Sequence, residues 1–257
     1  MTLTVGDGPF GHHPAGRFNF SVPDDVEYLE ESPRRVRGIV NGEAAIDSRR
    51  VKLLHASGTL PVWCFPPEDV KMELLREGDA WVHEEGLAHG LVGVRFDAID
   101  RWLEEDEEAI VHPRDPYHRI DIRSSSRRVV VSLDGVTLAD SIEALALFES
   151  SLPTRWYLPR DDVVAELVRR EGFRTGCAYK GYAGYWDVRV GDRMEPALAW
   201  QYDDPLDDVG RIAGRVCFFN ERVDLELDGE LEPRPRTAWS GTDWLSGDLG
   251  PPTAGPR

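Results

Sequence analysis

Runs rich in β-branched and aromatic residues, punctuated by Gly, Pro, Asn and Asp, organise this chain and predict a mainly β protein. The clearest are residues 90–96, 185–190, 215–219 and 223–227. Two other pairs of short extended runs are split by Asn41-Gly42 and by Asp134-Gly135. A type I′ turn needs positive φ at both central residues, which these dipeptides supply, so each predicts a β-hairpin. Strand-like runs at residues 62–65 and 155–158 lead into Pro and acidic residues, then into apolar positions four apart, Val70 with Leu74 and Val163 with Leu167. Proline and carboxylates mark the first turn of a helix, so each run predicts a short helix on a β scaffold. Residues 207–212 predict one more.

This pattern occurs twice. RRVRGIVNGEAAIDSRRVKLL from Arg34 aligns with RRVVVSLDGVTLADSIEALAL from Arg127, and WCFPPEDVKMELL from Trp63 with WYLPRDDVVAELV from Trp156, both at an offset of 93. Thirteen of 34 aligned positions are identical, where about two would match by chance, so the chain reads as a duplication. Arg119-Ile120-Asp121 and Arg222-Val223-Asp224 are expected to mark the closing strand of each copy. The expected organisation is a flexible segment over residues 1–24, a first repeat over 25–123, a second over 124–229 and a flexible tail over 230–257. A short linker, Ile122-Arg123-Ser124-Ser125-Ser126, predicts that the two domains pack as a pseudo-symmetric pair.

Composition narrows the functional classes. A formal charge of -17, from 47 acidic and 30 basic residues, opposes general nucleic-acid binding. No stretch approaches the roughly eighteen apolar residues of a membrane helix. The opening MTLTVGDGPFGHHPAGRFNF has no basic start followed by an apolar block, so a cytoplasmic location is expected. The three cysteines, Cys64, Cys177 and Cys217, form no CxxC and point to a reducing compartment. All seven histidines precede residue 119, and the pairs His83/His89 and His112/His118 are six apart, which matches no standard zinc spacing. No metal and no cofactor are expected. The acidic run from Glu104 to Glu108 reads as a solvated face.

After the predicted helix the copies diverge. The second continues with Cys177-Ala178-Tyr179-Lys180-Gly181, Tyr185-Trp186 and Trp200-Gln201-Tyr202, and the first has no counterpart of the Cys-x-Tyr-Lys-Gly cluster. The first copy therefore reads as degenerate and the second as carrier of a site. Cys177 reads either as a nucleophile, its thiolate favoured by Lys180, or as a small core residue. A Cys–His pair would need a histidine from the first domain. Lys180 reads as a holder of carboxylate or phosphate, as a low-pKa base or Schiff-base amine, or as a solvated turn residue. Gly181 suggests unusual backbone torsion or close approach of a ligand. Tyr179, Trp186, Trp200 and Tyr202 are candidates for an aromatic pocket or for core packing, with Tyr185 and Trp186 facing opposite ways on a strand. Asp203-Asp204 and Asp207-Asp208 read as a loop and a helix cap, because adjacent aspartates point apart and no glycine-rich phosphate loop is near.

The order of hairpin, Trp-x-x-Pro, acidic turn, Cys-x-Tyr-Lys-Gly-x-Ala-x-Tyr-Trp, Trp-x-Tyr and Arg-Val-Asp resembles the bacterial family called domain of unknown function 427. The resemblance covers residues 127–228 well and the opening half of the first copy, and Ala178 departs from the usual Pro. It implies a β-tent domain related to the Mss4-like folds. The family has carried a nucleotidyltransferase label, which the placement of the aspartates argues against. The reading is a small-molecule enzyme, a hydrolase or lyase, with its pocket around Lys180 and with Cys177, Lys180 and Tyr185 as catalytic candidates. The alternative is a non-catalytic binding domain that uses Tyr179, Gly181, Trp186, Trp200 and Tyr202. The expected partner is a small molecule, with neither nucleic acid nor membrane, and the sequence leaves the oligomeric state open.

Overall fold

The computed structural model describes residues 3–246, and the chain divides between His118 and Arg119 into two compact units. It is mainly β, built of antiparallel sheets. In the first unit the strands are β1 (Glu27–Glu31), β2 (Val36–Val40), β3 (Glu43–Ser48), β4 (Lys52–Ala56), β5 (Val62–Phe65), β6 (Ala80–Val82), β7 (Val92–Val94), β8 (Arg101–Glu104) and β9 (Glu107–Glu108). They form two sheets, ordered β1-β4-β5-β7-β6 and β3-β2-β8-β9.

The second unit contains β10 (Ile120–Ser124), β11 (Val129–Leu133), β12 (Val136–Ser141), β13 (Leu145–Glu149), β14 (Arg155–Leu158), β15 (Leu167–Cys177), β16 (Gly181–Val190), β17 (Arg193–Pro205), β18 (Val216–Phe218), β19 (Asp224–Leu227) and β20 (Glu230–Glu232). Its sheets run β10-β13-β14-β18-β17-β16-β15 and β12-β11-β19-β20. Strands β1 to β5 recur as β10 to β14 at the same offset of 93 (Glu27 to Ile120), and the pairings continue the match through β7 with β18, β6 with β17, β8 with β19 and β9 with β20. The long hairpin β15–β16 has no counterpart in the first unit.

The matched residues serve matched interactions. Asn41 and Gly42, and Asp134 and Gly135, all have positive φ, as the I′ turn requires. Arg35 clamps Asp47 across the first hairpin, and Arg128 clamps Asp140 across the second. The Ser48 hydroxyl donates to Asp69 at 2.7 Å and Ser141 to Asp162 at 2.6 Å. Side chains alternate across each strand, so the second unit's seven-stranded sheet carries two cores. One face, with Ala146, Trp156, Leu158, Ala199 and Phe218, packs with residues of the four-stranded sheet such as Val129, Val131 and Leu225. The other, with Leu145, Leu147, Tyr157, Tyr185, Trp200, Tyr202 and Cys217, packs under Trp244 and, at its edge, Trp239.

Four expectations are corrected. The helices predicted after Pro66 and Pro159 are single 3-10 turns, Pro67–Asp69 and Arg160–Asp162. Val70 and Val163 return at once to extended bridges with Ile46 and Ala139; a separate 3-10 turn, Met72–Leu74, follows in the first unit, whereas Leu167 opens β15 in the second, so neither segment continues as one helix. Arg119-Ile120-Asp121 does not close the first copy. Its strand pairs with β13 and opens the second unit, as β1 pairs with β4 in the first, and the closing strand of the first is β8. Parts of both supposed flexible ends pack, although residues 12–21 are exposed: Thr4 and Val5 are buried, the Leu3 amide donates to Asp115 at 2.8 Å, residues 230–232 form β20, and Trp244 is buried. Residues 1–2 and 247–257 lie outside the described range. Finally, Asp203, Asp204 and Pro205 end strand β17, and the 3-10 helix Asp207–Ile212 has no side-chain cap.

Candidate functional site

The site grows from one row of register partners across the seven-stranded sheet. Leu145 lies opposite Tyr157, Tyr157 opposite Cys217, Cys217 opposite Trp200, and Trp200 opposite Tyr185. Alternation places Glu149, Thr175, Cys177 and Tyr202 on the same face as this row. The turn between β15 and β16 then turns Lys180 inward. The Lys180 amide donates to the Cys177 carbonyl at 3.3 Å, and the Leu206 amide donates to the Lys180 carbonyl at 3.1 Å.

Gly181 completes this turn at φ +93, a conformation that a Cβ disfavours. A methyl there would meet the Asp204 carbonyl and the Leu206 nitrogen at 3.5 Å, which is ordinary contact, so the cost comes from the backbone alone. Gly181→Ala is expected to destabilise the protein by about 1–2 kcal/mol, read as a lower urea midpoint at unchanged slope.

Lys180 is buried, and its ammonium donates to both oxygens of Glu149 at 2.5 Å. Burial works against the charged amine, but electrostatic attraction to Cys177 and Glu149, with the Glu149 hydrogen bonds, outweighs it and holds Lys180 above its ordinary value. Lys180 is thus a fixed cation, not the low-pKa base or solvated turn residue that the sequence allowed. Cys177 is half-buried, whereas Cys64 and Cys217 are fully buried. Tyr185 shares a hydrogen bond with Thr175 at 2.7 Å. Burial pushes its hydroxyl up to about 12, only partly opposed by Thr175, so it stays protonated and can donate. Burial likewise raises Tyr202.

Of the aromatic candidates, Trp200 and Tyr202 share this face, and the Trp200 indole donates to the Tyr157 hydroxyl at 3.0 Å. Tyr179 is half-buried in the turn. Trp186 points to the other core, with the guanidinium of Arg169 4.9 Å from its ring centre, and so does not join Lys180. Sequence reasoning missed Glu149, the partner of Lys180. The available signal was its phase: in Leu-Ala-Leu-Phe-Glu the carboxylate falls on the alternation of Leu145 and Leu147. It also missed the buried pair of Arg155 and Glu221, two hydrogen bonds of 2.7 Å, which Thr237 joins at 2.6 Å. Arg155 lies 5.3 Å from the centre of the Trp200 ring.

A cleft of about 540 Å³ opens at the other core, among Arg123, Arg127, Phe148, Trp156, Leu225 and Pro233, and none of the candidate residues lines it. Among the described residues no three His, Cys, Asp or Glu converge to hold a metal.

No curated protein matches the chain significantly. The family described as Domain of unknown function (DUF427) matches residues 28–84 and 121–229, one segment in each unit. Those segments make up more than half of the sequence, and the chain belongs to that family.

Proposed function

We propose that this protein is a small-molecule enzyme whose second unit uses Cys177 as a nucleophile, with Lys180 as its electrostatic partner and Tyr185 as a proton donor. One observation carries the reading: a buried ammonium, locked by Glu149, shares its turn with a half-buried thiol on the hairpin that the first unit lacks. Attack on an electrophile is the work of a sulfur nucleophile, and an ammonium in the same turn supplies the positive charge that such a step uses. The sulfur would add to a carbonyl carbon while Lys180 stabilises the oxygen that gains charge. Tyr185, held protonated, would give its proton to the leaving group. This chemistry favours a hydrolase or lyase over phosphoryl transfer. The shared strand order of the units supports a duplicated β-tent-like domain, and the same reading takes a small molecule as its partner.

Alkylation of the native protein by iodoacetamide, mapped by mass spectrometry, tests the reading. Cys177 should react well ahead of Cys64 and Cys217. Lys180→Met should slow it by about tenfold at neutral pH, and Lys180→Arg should restore most of the rate. A Cys177 that is inert in the folded protein, or that ignores the charge at position 180, would leave a binding-only domain as the better account.

A further inference from the structure

The first unit presents the same sheet face without the hairpin, and a different pair of side chains meets there. The pairings make Cys64 the equivalent of Tyr157 and Trp81 the equivalent of Trp200, because each lies opposite Gly93 as the others lie opposite Cys217. His83, two residues beyond Trp81, then falls where Tyr202 stands in the second unit. Its Nε2 is 3.5 Å from the Cys64 sulfur. The backbone is shaped to allow this contact. A Cβ at Gly93 would collide with the Trp81 ring and come within 3.0 Å of His83 Nε2, so only glycine lets both rings lie against β7. Leu54, Ala88 and the partly buried Leu29, Val62 and Leu91 surround Cys64 as a small apolar cluster separate from the main core. Glu27 adds a carboxylate whose charge favours the protonated imidazole, and the Leu87 amide holds it at 3.1 Å.

We propose that Cys64 and His83 form a second, thiol-dependent acyl-transfer site, taking small esters of apolar acids, in the unit whose sequence reads as scaffold. Burial pushes the Cys64 thiol up to about 12 and holds His83 below its ordinary value, so the pair rests as thiol and neutral imidazole. The proton therefore moves during the reaction. As sulfur bonds to the ester carbonyl carbon, His83 Nε2 takes the thiol proton and the carbonyl electron pair moves to oxygen. On collapse the carbon–oxygen bond breaks, and the alcohol leaves with the proton from His83. Water, deprotonated by His83, then attacks the thioester and releases the acid and the Cys64 thiol. The apolar cluster around Cys64 would receive the acyl chain. Trp81, half-exposed over Gly93, would cover the site.

The test uses the full chain with 4-nitrophenyl acetate and butyrate, following nitrophenolate release and mapping the acylated residue by mass spectrometry. The expected result is an acyl adduct on Cys64 and, in a Cys177→Ser background, nitrophenolate release that Cys64→Ala abolishes. His83→Gln should slow acylation by about a hundredfold. Cys177→Ser should leave the Cys64 adduct in place, which separates this site from the one in the second unit. Mapping on wild type decides the matter even if Cys64→Ala fails to fold. No Cys64 adduct on the folded wild-type chain, or one formed at the same rate without the His83 imidazole, overturns the proposal.

Discussion

Lys180→Met is expected to destabilise the protein by about 3–5 kcal/mol, because it removes the ammonium that bonds both oxygens of the buried Glu149 carboxylate. The Lys180 and Glu149 side chains are only 9% and 5% exposed, so water cannot replace the lost partner. The cost therefore lies in the broken buried ion pair, and removing both charges should recover most of it. The double variant Lys180→Met/Glu149→Leu should come back to within about 1–2 kcal/mol of wild type, since well-packed apolar replacements of buried pairs are often neutral. Urea unfolding of the two single variants and the double variant measures the coupling. Additive losses would mean that the ammonium and carboxylate do not depend on each other. The pH dependence follows from the direction of the shift. Lys180 is held above its ordinary 10.5, so its contribution is complete below that value and is lost only as pH rises through its higher folded value.

Arg155→Met should be comparably severe, again about 3–5 kcal/mol, and should also loosen the C-terminal segment. The Glu221 side chain has no exposure and Arg155 only 6%, and the guanidinium is the cation that pairs with the carboxylate directly. Thr237 hangs on the same carboxylate, and a few residues later Trp244 packs on Phe173, Tyr185 and Phe219. Losing Arg155 should therefore raise amide exchange across residues 237–245 as well as lower the unfolding midpoint. Burial works against the Glu221 carboxylate, but Arg155 and Thr237 hold it below its ordinary 4.5. Its stabilisation is then fully present above that value and is lost as pH falls through the lower folded value. Arg155→Met should flatten this acid limb. An unchanged acid transition, with exchange in residues 237–245 unaltered, would show that the pair does not anchor the segment.

The hairpins, the offset of 93 and the boundaries of β5 and β14 were all legible in the sequence, because each depends on neighbours a few residues apart. Asn41-Gly42 and Asp134-Gly135 need nothing beyond their own φ preferences to turn the chain. The opposite facing of Tyr185 and Trp186 was equally local, a consequence of the pleat. The helix starts misled for the same reason: proline and carboxylates do begin a turn at Pro67 and Arg160, but Val70 and Val163 are then taken by distant strands. Long-range pairing outweighs a three-residue propensity.

Local sequence also determined that Cys177, Lys180 and Gly181 stand together, since one turn holds all three. Only the tertiary structure decided what they face. Glu149 comes from β13 and Tyr202 from β17, and β14 and β18 separate those strands in the sheet. The Cys64–His83 contact likewise spans β5 and the end of β6 across β7, and it requires Gly93 between them. The charge state of Lys180 belongs to the same class. It is set by a carboxylate 31 residues away in sequence, and neither composition nor spacing encodes which buried charges will meet. Turns and strand phases are written in adjacent residues, whereas the electrostatics of a site arise from strands that adjoin only once the sheet has closed.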